Sequence, residues 1–331
     1  MEKRVRRVTV RTERTFAIAR SSADAFERVI LEIEEDGFTG RGEAAPTSYY
    51  GQDAEGVARA LEGVGIRDPW DVEGTLAEGG HLPSAALAAL DAALHDLAAK
   101  RLGVPLYTLL GFARPEPTSA YTLAIAEPET TLAEARRLSS FPILKMKVGG
   151  WEDVETVRAV AEFSGAEIWV DANEAFSPDE APELARELKG IGVRMIEQPV
   201  PASAGPEVLR KATEAAHPVP VIADEGAIIA RDVPPLSGCA SGVNVKLAKC
   251  GGIRRAMEMA HTARSLGMVV MLGCMVETSL GISAAAQISG LFDFVDLDGA
   301  MLLADDPFGG IGYEEGRIIL SEEPGLGVEP R

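Results

Sequence analysis

Three acidic residues end three short apolar runs at near-equal spacing. Asp171 follows Ile168-Trp169-Val170, Glu197 follows Met195-Ile196, and Asp224 follows Val221-Ile222-Ala223, with separations of 26 and 27 residues. Taken singly, each is a loop residue or a helix cap. Gathered at one point, three carboxylates repel one another unless a cation sits among them. An all-oxygen donor set suits a hard ion that keeps positions open for water and substrate, and Mg²⁺ is the expected occupant. Lysines end two further runs, at Lys145-Met146-Lys147 and at Lys246. Alternate side chains of a strand share a face, so Lys145 and Lys147 point together, as do Asp296 and Asp298. Close like charges and a bound cation would lower a lysine pKa, giving a neutral base near pH 7. A carbon held between Lys147 and Lys246 could lose a proton to one and regain it from the other, which is racemisation or epimerisation. The acid concerned is a C–H beside a carboxylate. Its enolate needs positive charge at the carboxylate oxygens, from a divalent ion with Lys145 alongside.

Such residues converge only if the elements carrying them form a ring. After about residue 113, β-branched or apolar runs alternate with helical stretches. The runs are 119–125, 143–147, 168–171, 195–197, 221–224, 242–246, 269–272 and 294–297, with amphipathic helices such as 151–163 and 178–188 between them. Eight such units in about 200 residues predict a TIM-like barrel, whose active face is the C-terminal end of the strands. Residues 1–112 read differently. Residues 28–34 alternate as a half-buried strand, Asp36-Gly37 makes a turn, and 39–43 continues the meander. A helix over 84–100 starts at Pro83-Ser84 and ends before Gly103 and Pro105. This is a small α+β domain.

The chain has 331 residues, net charge −19 and pI near 4.7. A field of that sign disfavours nucleic acid and anionic membrane surfaces as partners. The longest uncharged run, 278–292, has 15 residues, short of the ~18 a membrane span needs. The basic N-terminus (Lys3, Arg4, Arg6, Arg7) lacks a following apolar run, so a charged edge strand is expected rather than a secretory leader, with Val5, Val8 and Val10 toward the core. Cys239, Cys250 and Cys274 form neither a disulfide framework nor a zinc spacing, which favours a reducing, cytoplasmic setting. His81, His95, His217 and His261 lie away from the strand ends, and no zinc-protease, P-loop or nucleophile-elbow motif occurs.

The ordered set of motifs resembles the muconate-lactonising subgroup of the enolase superfamily. The matching stretches are Lys145-Met146-Lys147, Val170-Asp171-Ala172-Asn173, Ile196-Glu197-Gln198-Pro199, Ala223-Asp224-Glu225 and Val245-Lys246 through Gly251-Gly252, with Ala88 to Asp91 and Leu109 to Gly111 in the N-terminal part. A lysine base with Mg²⁺ is already the known pattern of that superfamily's sites. The resemblance implies a modified TIM barrel, (β/α)7β, over 113–312, and an N-terminal α+β capping domain over 1–112 completed by 313–331. It implies one Mg²⁺ per subunit on Asp171, Glu197 and Asp224, acid/base catalysis by Lys147 and Lys246, and self-association as a homo-oligomer. Lys249, beyond the strand end, is expected to be solvated or supporting. The stretch Asp296-Leu297-Asp298-Gly299 is similar to the motif by which dipeptide epimerases hold a free ammonium, and two carboxylates suit a cation. The bland alternative for Asp298 is a helix cap. Ile18-Ala19-Arg20 and Gly42 to Pro46 with Tyr50-Gly51 also look similar to dipeptide epimerases, which would place Arg20 against a second carboxylate such as a glutamate side chain and Tyr50 nearby. A surface arginine is the equal alternative. Cys274 would touch substrate or simply pack. The expected activity is therefore epimerisation of the C-terminal residue of a dipeptide, L-Ala-D/L-Glu first, in peptidoglycan-peptide metabolism. N-succinylamino acid racemisation, o-succinylbenzoate synthesis and muconate cycloisomerisation are alternatives on the same scaffold, and a non-catalytic metal- or ligand-binding barrel is a third possibility.

Overall fold

The computed structural model describes residues 1–331. The N-terminal part is a three-stranded antiparallel sheet, β1 (Glu2–Ile18), β2 (Ser21–Glu35) and β3 (Phe38–Ala44), with the helices α1 (Ala54–Gly63), α2 (Val72–Glu78) and α3 (Ser84–Leu102). The β2–β3 hairpin turns at Asp36 and Gly37, both at positive φ (53° and 81°), as an Asp-Gly type I′ turn requires. The expected strand over 28–34 and helix over 84–100 both lie inside longer elements. On β1, Val10 is buried, while Val5 and Val8 are half-buried. Helix α3 ends at Gly103 in the left-handed conformation. The sheet rests directly on its backbone. A Cβ on Gly40 or Gly42 would lie 2.1 or 2.0 Å from the carbonyl oxygens of Ala93 and Ala89.

After α4 (Leu106–Leu109) come eight parallel strands in consecutive order. They are β4 (Tyr121–Leu123), β5 (Ile143–Lys147), β6 (Glu167–Asp171), β7 (Met195–Glu197), β8 (Val221–Ala223), β9 (Gly242–Lys246), β10 (Val269–Gly273) and β11 (Phe294–Asp296). All eight expected runs contain or overlap these strands. Ala120 N donates to Val295 O at 3.0 Å and brings the two ends of the sheet together. The fold is thus a nearly closed barrel. Around it run α5 (Pro128–Arg137), α6 (Trp151–Phe163), α7 (Ala181–Ile191), α8 (Pro206–Ala216), α9 (Leu247–Cys250), α10 (Ile253–Ser265) and α11 (Ser279–Ala286). Two local expectations change. Helix α7 starts at Ala181 rather than 178, because the Glu180 carboxylate first closes a turn on Ser177. Between β8 and β9 there is no α-helix, only two short 3₁₀ turns, the second of which opens with Pro234-Pro235. No helix is long and apolar enough to cross a membrane.

Buried polar contacts join the sheet domain to the barrel. Asp91 of α3 accepts from Arg254 N at 3.1 Å. Gly252 (φ +109°) leaves room for that carboxylate, which a Cβ would meet at 2.2 Å. Glu43 of β3 accepts from Thr278 N and Gly281 N, both at 3.1 Å, at the start of α11. Asp96 accepts from Leu326 N at 2.7 Å, tying in the C-terminal segment.

The close approach of β3 to α3 makes a direct prediction. Gly42→Ala should destabilise the protein by about 1–3 kcal/mol or more, as overpacking does. Gly63→Ala, with open space at its Cβ, should be neutral or stabilising by a few tenths up to about 1 kcal/mol. Urea unfolding compares them, and equal shifts would remove the packing explanation.

Candidate active site

Side-chain alternation divides the barrel interior into two floors. Ala120, Trp169, Met195, Ile222 and Met271 pack as an apolar plug. Two residues on from Trp169, Met195 and Ile222, the same inward face carries Asp171, Glu197 and Asp224. Asp171 is level with Lys147 on one side and Glu197 on the other. Gly273 of β10 is level with Lys246 and Asp296. A Cβ there would lie 2.7 Å from Asn244 Oδ1 and 3.0 Å from Lys246 Cε. Glycine therefore clears the space through which Lys246 reaches inward. These charged side chains all stand at the C-terminal ends of their strands, the face on which barrel enzymes build active sites.

Lys145 Nζ lies 2.6 Å from Asp296 Oδ2, 2.6 Å from Glu197 Oε2 and 3.2 Å from Asp171 Oδ2. Lys147 Nζ donates to Asp171 Oδ2 at 2.6 Å, and Lys246 Nζ to Asp224 Oδ2 at 2.8 Å. Both Lys147 and Lys246 line a cavity of about 340 Å³, as do Lys145, Asp224, Asp296 and Asp298. Asp171 and Glu197 are wholly buried at its floor. Burial alone would raise the Asp171 and Asp224 carboxyls. The lysines win and hold both well below the usual carboxylate range, Lys147 and Lys145 acting on Asp171, and Lys246 and Lys249 on Asp224. Glu197 goes the other way, raised by burial and by Asp171. Burial opposes the charge on Lys145 and Lys246, but the carboxylates raise both well above the ordinary lysine value. A lysine drawn down toward neutrality is thus not what these side chains make by themselves. The expected lowering rested on a bound cation as well as on like charges, and the carboxylates by themselves act the other way.

As the side chains stand, the three carboxylates do not close into one cage of donors. Each is turned onto an ammonium instead. The donor chemistry nevertheless fits Mg²⁺: hard oxygens on adjacent strands, all buried. Glu197 Oε2, although close to Lys145, makes no hydrogen bond. Its other oxygen accepts from Asn244 Nδ2 at 2.5 Å.

At the far edge, Asp298 Oδ2 accepts from Thr122 N at 2.6 Å. Its side chain does not cap the 3₁₀ turn that follows, so the helix-cap alternative falls. Thr122 Oγ1 lies 3.5 Å from Asp296 Oδ1. Cys274 lines the cavity with Sγ 4.0 Å from Asp298 Oδ1, and burial and the neighbouring aspartates raise its thiol far above normal. Tyr50 lines the opposite rim, its phenol also raised by burial. Arg20 lines the cavity without being free. Its guanidinium pairs with Glu225 at 2.6 Å, donates to Asn173 O at 3.2 Å and lies 4.3 Å over the Tyr49 ring.

One residue resolves an open alternative, and others were not singled out from the sequence. Lys249, expected to be solvated or supporting, is wholly buried and donates to Asp224 Oδ1 at 2.7 Å, Asp224 O at 2.7 Å and Asn244 O at 2.8 Å. The one-turn helix α9 brings it back under the strand end, so the solvated alternative is wrong. Asn244 was within reach of the alternation argument, two residues before Lys246 on β9. Gln198 Oε1 accepts from Asp224 N at 2.8 Å, and its backbone holds positive φ (34°), as does Asn173 (41°). Both sit just past an acidic strand end, where strained backbone is characteristic of functional sites.

Residues 2–111 match the family model "Mandelate racemase / muconate lactonizing enzyme, N-terminal domain", and residues 130–331 match "Enolase C-terminal domain-like". The chain is 38% identical over 322 residues to the L-Ala-D/L-Glu epimerase of Bacteroides thetaiotaomicron, covering 95% of this chain and 84% of that one. The dipeptide epimerase of Enterococcus faecalis, solved with Mg and L-Leu-L-Tyr, superposes with a TM-score of 0.93 at 30% identity, over 99% of this chain and 98% of that one. The dipeptide epimerase of Methylococcus capsulatus, solved with Mg and L-Arg-D-Lys, gives 0.92 at 35% identity, over 99% and 98%.

Lys249 gives the site a mechanical test. Lys249→Met strips one partner from a buried carboxylate, a change that typically costs about 3–5 kcal/mol. Arg210→Met removes exposed pairs with Glu207 and Glu214, and such solvent-screened pairs contribute little to stability. Urea unfolding in divalent-free buffer should separate the two clearly.

Proposed function

The chain belongs to the mandelate racemase/muconate lactonizing enzyme family of the enolase superfamily, and on that premise we propose that it is a Mg²⁺-dependent dipeptide epimerase. It inverts the α-carbon of the C-terminal residue, with L-Ala-D/L-Glu the leading substrate pair. One observation carries the reading. Lys147 and Lys246 enter one cavity from β5 and β9, four strand positions apart in a ring of eight, and so approach from opposite sides.

A dipeptide bound there has its ammonium at Asp296 and Asp298 and its carboxylate over Asp171, Glu197 and Asp224, beside Lys145. The α-carbon of the second residue then lies between Lys147 and Lys246. One lysine takes the proton from one face, the carboxylate accepts the resulting negative charge, and the other lysine returns a proton to the opposite face. Lys145 adds fixed positive charge beside the enolate oxygens. Asp171, Glu197 and Asp224 would hold Mg²⁺, which would supply further positive charge beside those oxygens. Arg20 and Tyr50 face the second residue's side chain. An acidic side chain there must draw Arg20 away from Glu225, which would make Glu225 a competitor for the same guanidinium. We take residues 1–112 with 313–331 as the cap over this site and 113–312 as the barrel that carries the chemistry. Incubation with dipeptides in heavy water tests the function. Mass gain and inversion at the second residue are expected, and no exchange with any dipeptide would sink it.

Two finer predictions follow from the geometry. Lys147→Met and Lys246→Met should each slow inversion by about 10²–10⁴-fold. Each should retain deuterium exchange on only one epimer, and the two variants should retain opposite epimers. Exchange of both epimers by one variant would contradict the opposed arrangement.

Burial, reinforced by Asp296, raises the Asp298 carboxyl to about 7. Its charge is therefore present above that pH and lost below it. KM for a dipeptide should rise as pH falls from 7.5 to 6. Asp298→Asn, which loses a charged partner worth about 2–5 kcal/mol when buried, should show a KM raised at least tenfold at pH 7.5 and nearly flat with pH.

A further inference from the structure

A second cavity of about 330 Å³ adjoins the first, and the two share Phe16, Thr122 and Leu302 as a common wall. Thr122 marks where the wall stands. Its N–H donates to Asp298 and its hydroxyl faces Asp296, so the second cavity begins beside the carboxylate pair that takes the ammonium. Its lining is mostly apolar side chains and threonine hydroxyls from β1, β4 and the loop after β4, with Leu123, Ala124 and Ile125 prominent. At its edge Arg14 pairs with Glu134 at 2.5 Å and Glu134 also receives Arg137 Nε at 3.1 Å, while Glu13 is exposed. A charged ligand group entering there would exchange water for a wall that is mostly uncharged.

In a dipeptide, the ammonium and the first side chain branch from the same carbon. Fixing the ammonium at Asp296 and Asp298 therefore starts the first side chain next to Thr122. A longer peptide is not the fitting occupant, because acylation of the first residue removes the ammonium that those aspartates bind. A methyl group alone would leave most of the volume unfilled. We infer that the second cavity receives the side chain of the substrate's N-terminal residue and favours uncharged aliphatic or aromatic side chains there. This rests on the dipeptide reading above and extends it to the first residue.

The test compares kcat/KM for Ala-Glu, Leu-Glu and Lys-Glu in the wild-type enzyme and in two variants that fill the cavity from outside the first one, Ala124→Phe and Thr130→Phe. Thr130 is exposed on the first turn of α5, so its variant stands in if Ala124→Phe folds poorly. Wild type should use Leu-Glu within tenfold of Ala-Glu and disfavour Lys-Glu by more than tenfold. In the filled variants the Leu-Glu to Ala-Glu ratio should fall at least tenfold. Turnover of Ala-Glu without Leu-Glu in wild type, or an unchanged ratio in both variants, would overturn the inference and leave the dipeptide reading standing. Failure of every dipeptide with wild type would bring down both.

Discussion

Lys145 has almost no contact with solvent and meets three carboxylates, on β6, β7 and β11. A lone ammonium in that position would be prohibitively costly, and so would any of those carboxylates without it. The barrel mouth is held together by this mutual dependence. Lys147, Lys246 and Lys249 repeat it around the ring, each on Asp171 or Asp224. Apolar side chains of similar volume would make an equally stable or more stable barrel. The charges therefore belong to the chemistry, and the scaffold must bear their cost.

The scaffold bears it through rigidity. Trp169, Met195, Ile222 and Met271 close the barrel beneath the charges and keep water from below. Gln198 fixes the backbone of Asp224 and Gly226 through one carbonyl oxygen. Asn173 N binds Asp171 Oδ1 at 2.9 Å. From above, the sheet domain is locked down by Asp91, Asp96 and Glu43, each a buried acid accepting backbone N–H groups of the barrel or the C-terminal segment. The close fit at Gly252 explains a glycine that composition alone cannot. Its backbone conformation and the adjacent carboxylate both exclude a Cβ. Such anchoring keeps Arg20 and Tyr50, from the N-terminal part of the chain, in register with lysines and aspartates on the barrel.

Much of this was legible in the sequence because periodicity and strand alternation are local properties. They located the eight barrel strands and set Lys145 with Lys147 and Asp296 with Asp298 on shared faces. What they could not give was the third dimension. Lys249 reads as a loop residue until a one-turn helix folds it under Asp224. Thr122 carries no chemical signature, and its importance lies in a backbone N–H. Arg20 lines the cavity, yet its engagement with Glu225 and Tyr49 depends on how the β1–β2 hairpin meets two barrel loops. The direction in which the side chains alone push the lysines was out of reach for a related reason. Spacing shows which charges are near, while the sign of the shift depends on which is nearest.

The charge balance of the mouth then says what it is built to admit. Four ammonium groups, Lys145, Lys147, Lys246 and Lys249, face six carboxylates, Asp171, Glu197, Asp224, Glu225, Asp296 and Asp298. Glu225 and Asp298 are the two without a lysine, and both are raised to about 7, Glu225 by burial and Asp224, Asp298 by burial and Asp296. Glu225 already rests on Arg20 at 2.6 Å, whereas Asp298 meets no resident cation and accepts from Thr122 N. That place suits an ammonium, with the mostly apolar second cavity just beyond. An anionic aromatic acid would bring more negative charge to the same place. A molecule with an ammonium at one end and a carboxylate at the other matches this charge layout, with Lys147 and Lys246 entering the same cavity from β5 and β9.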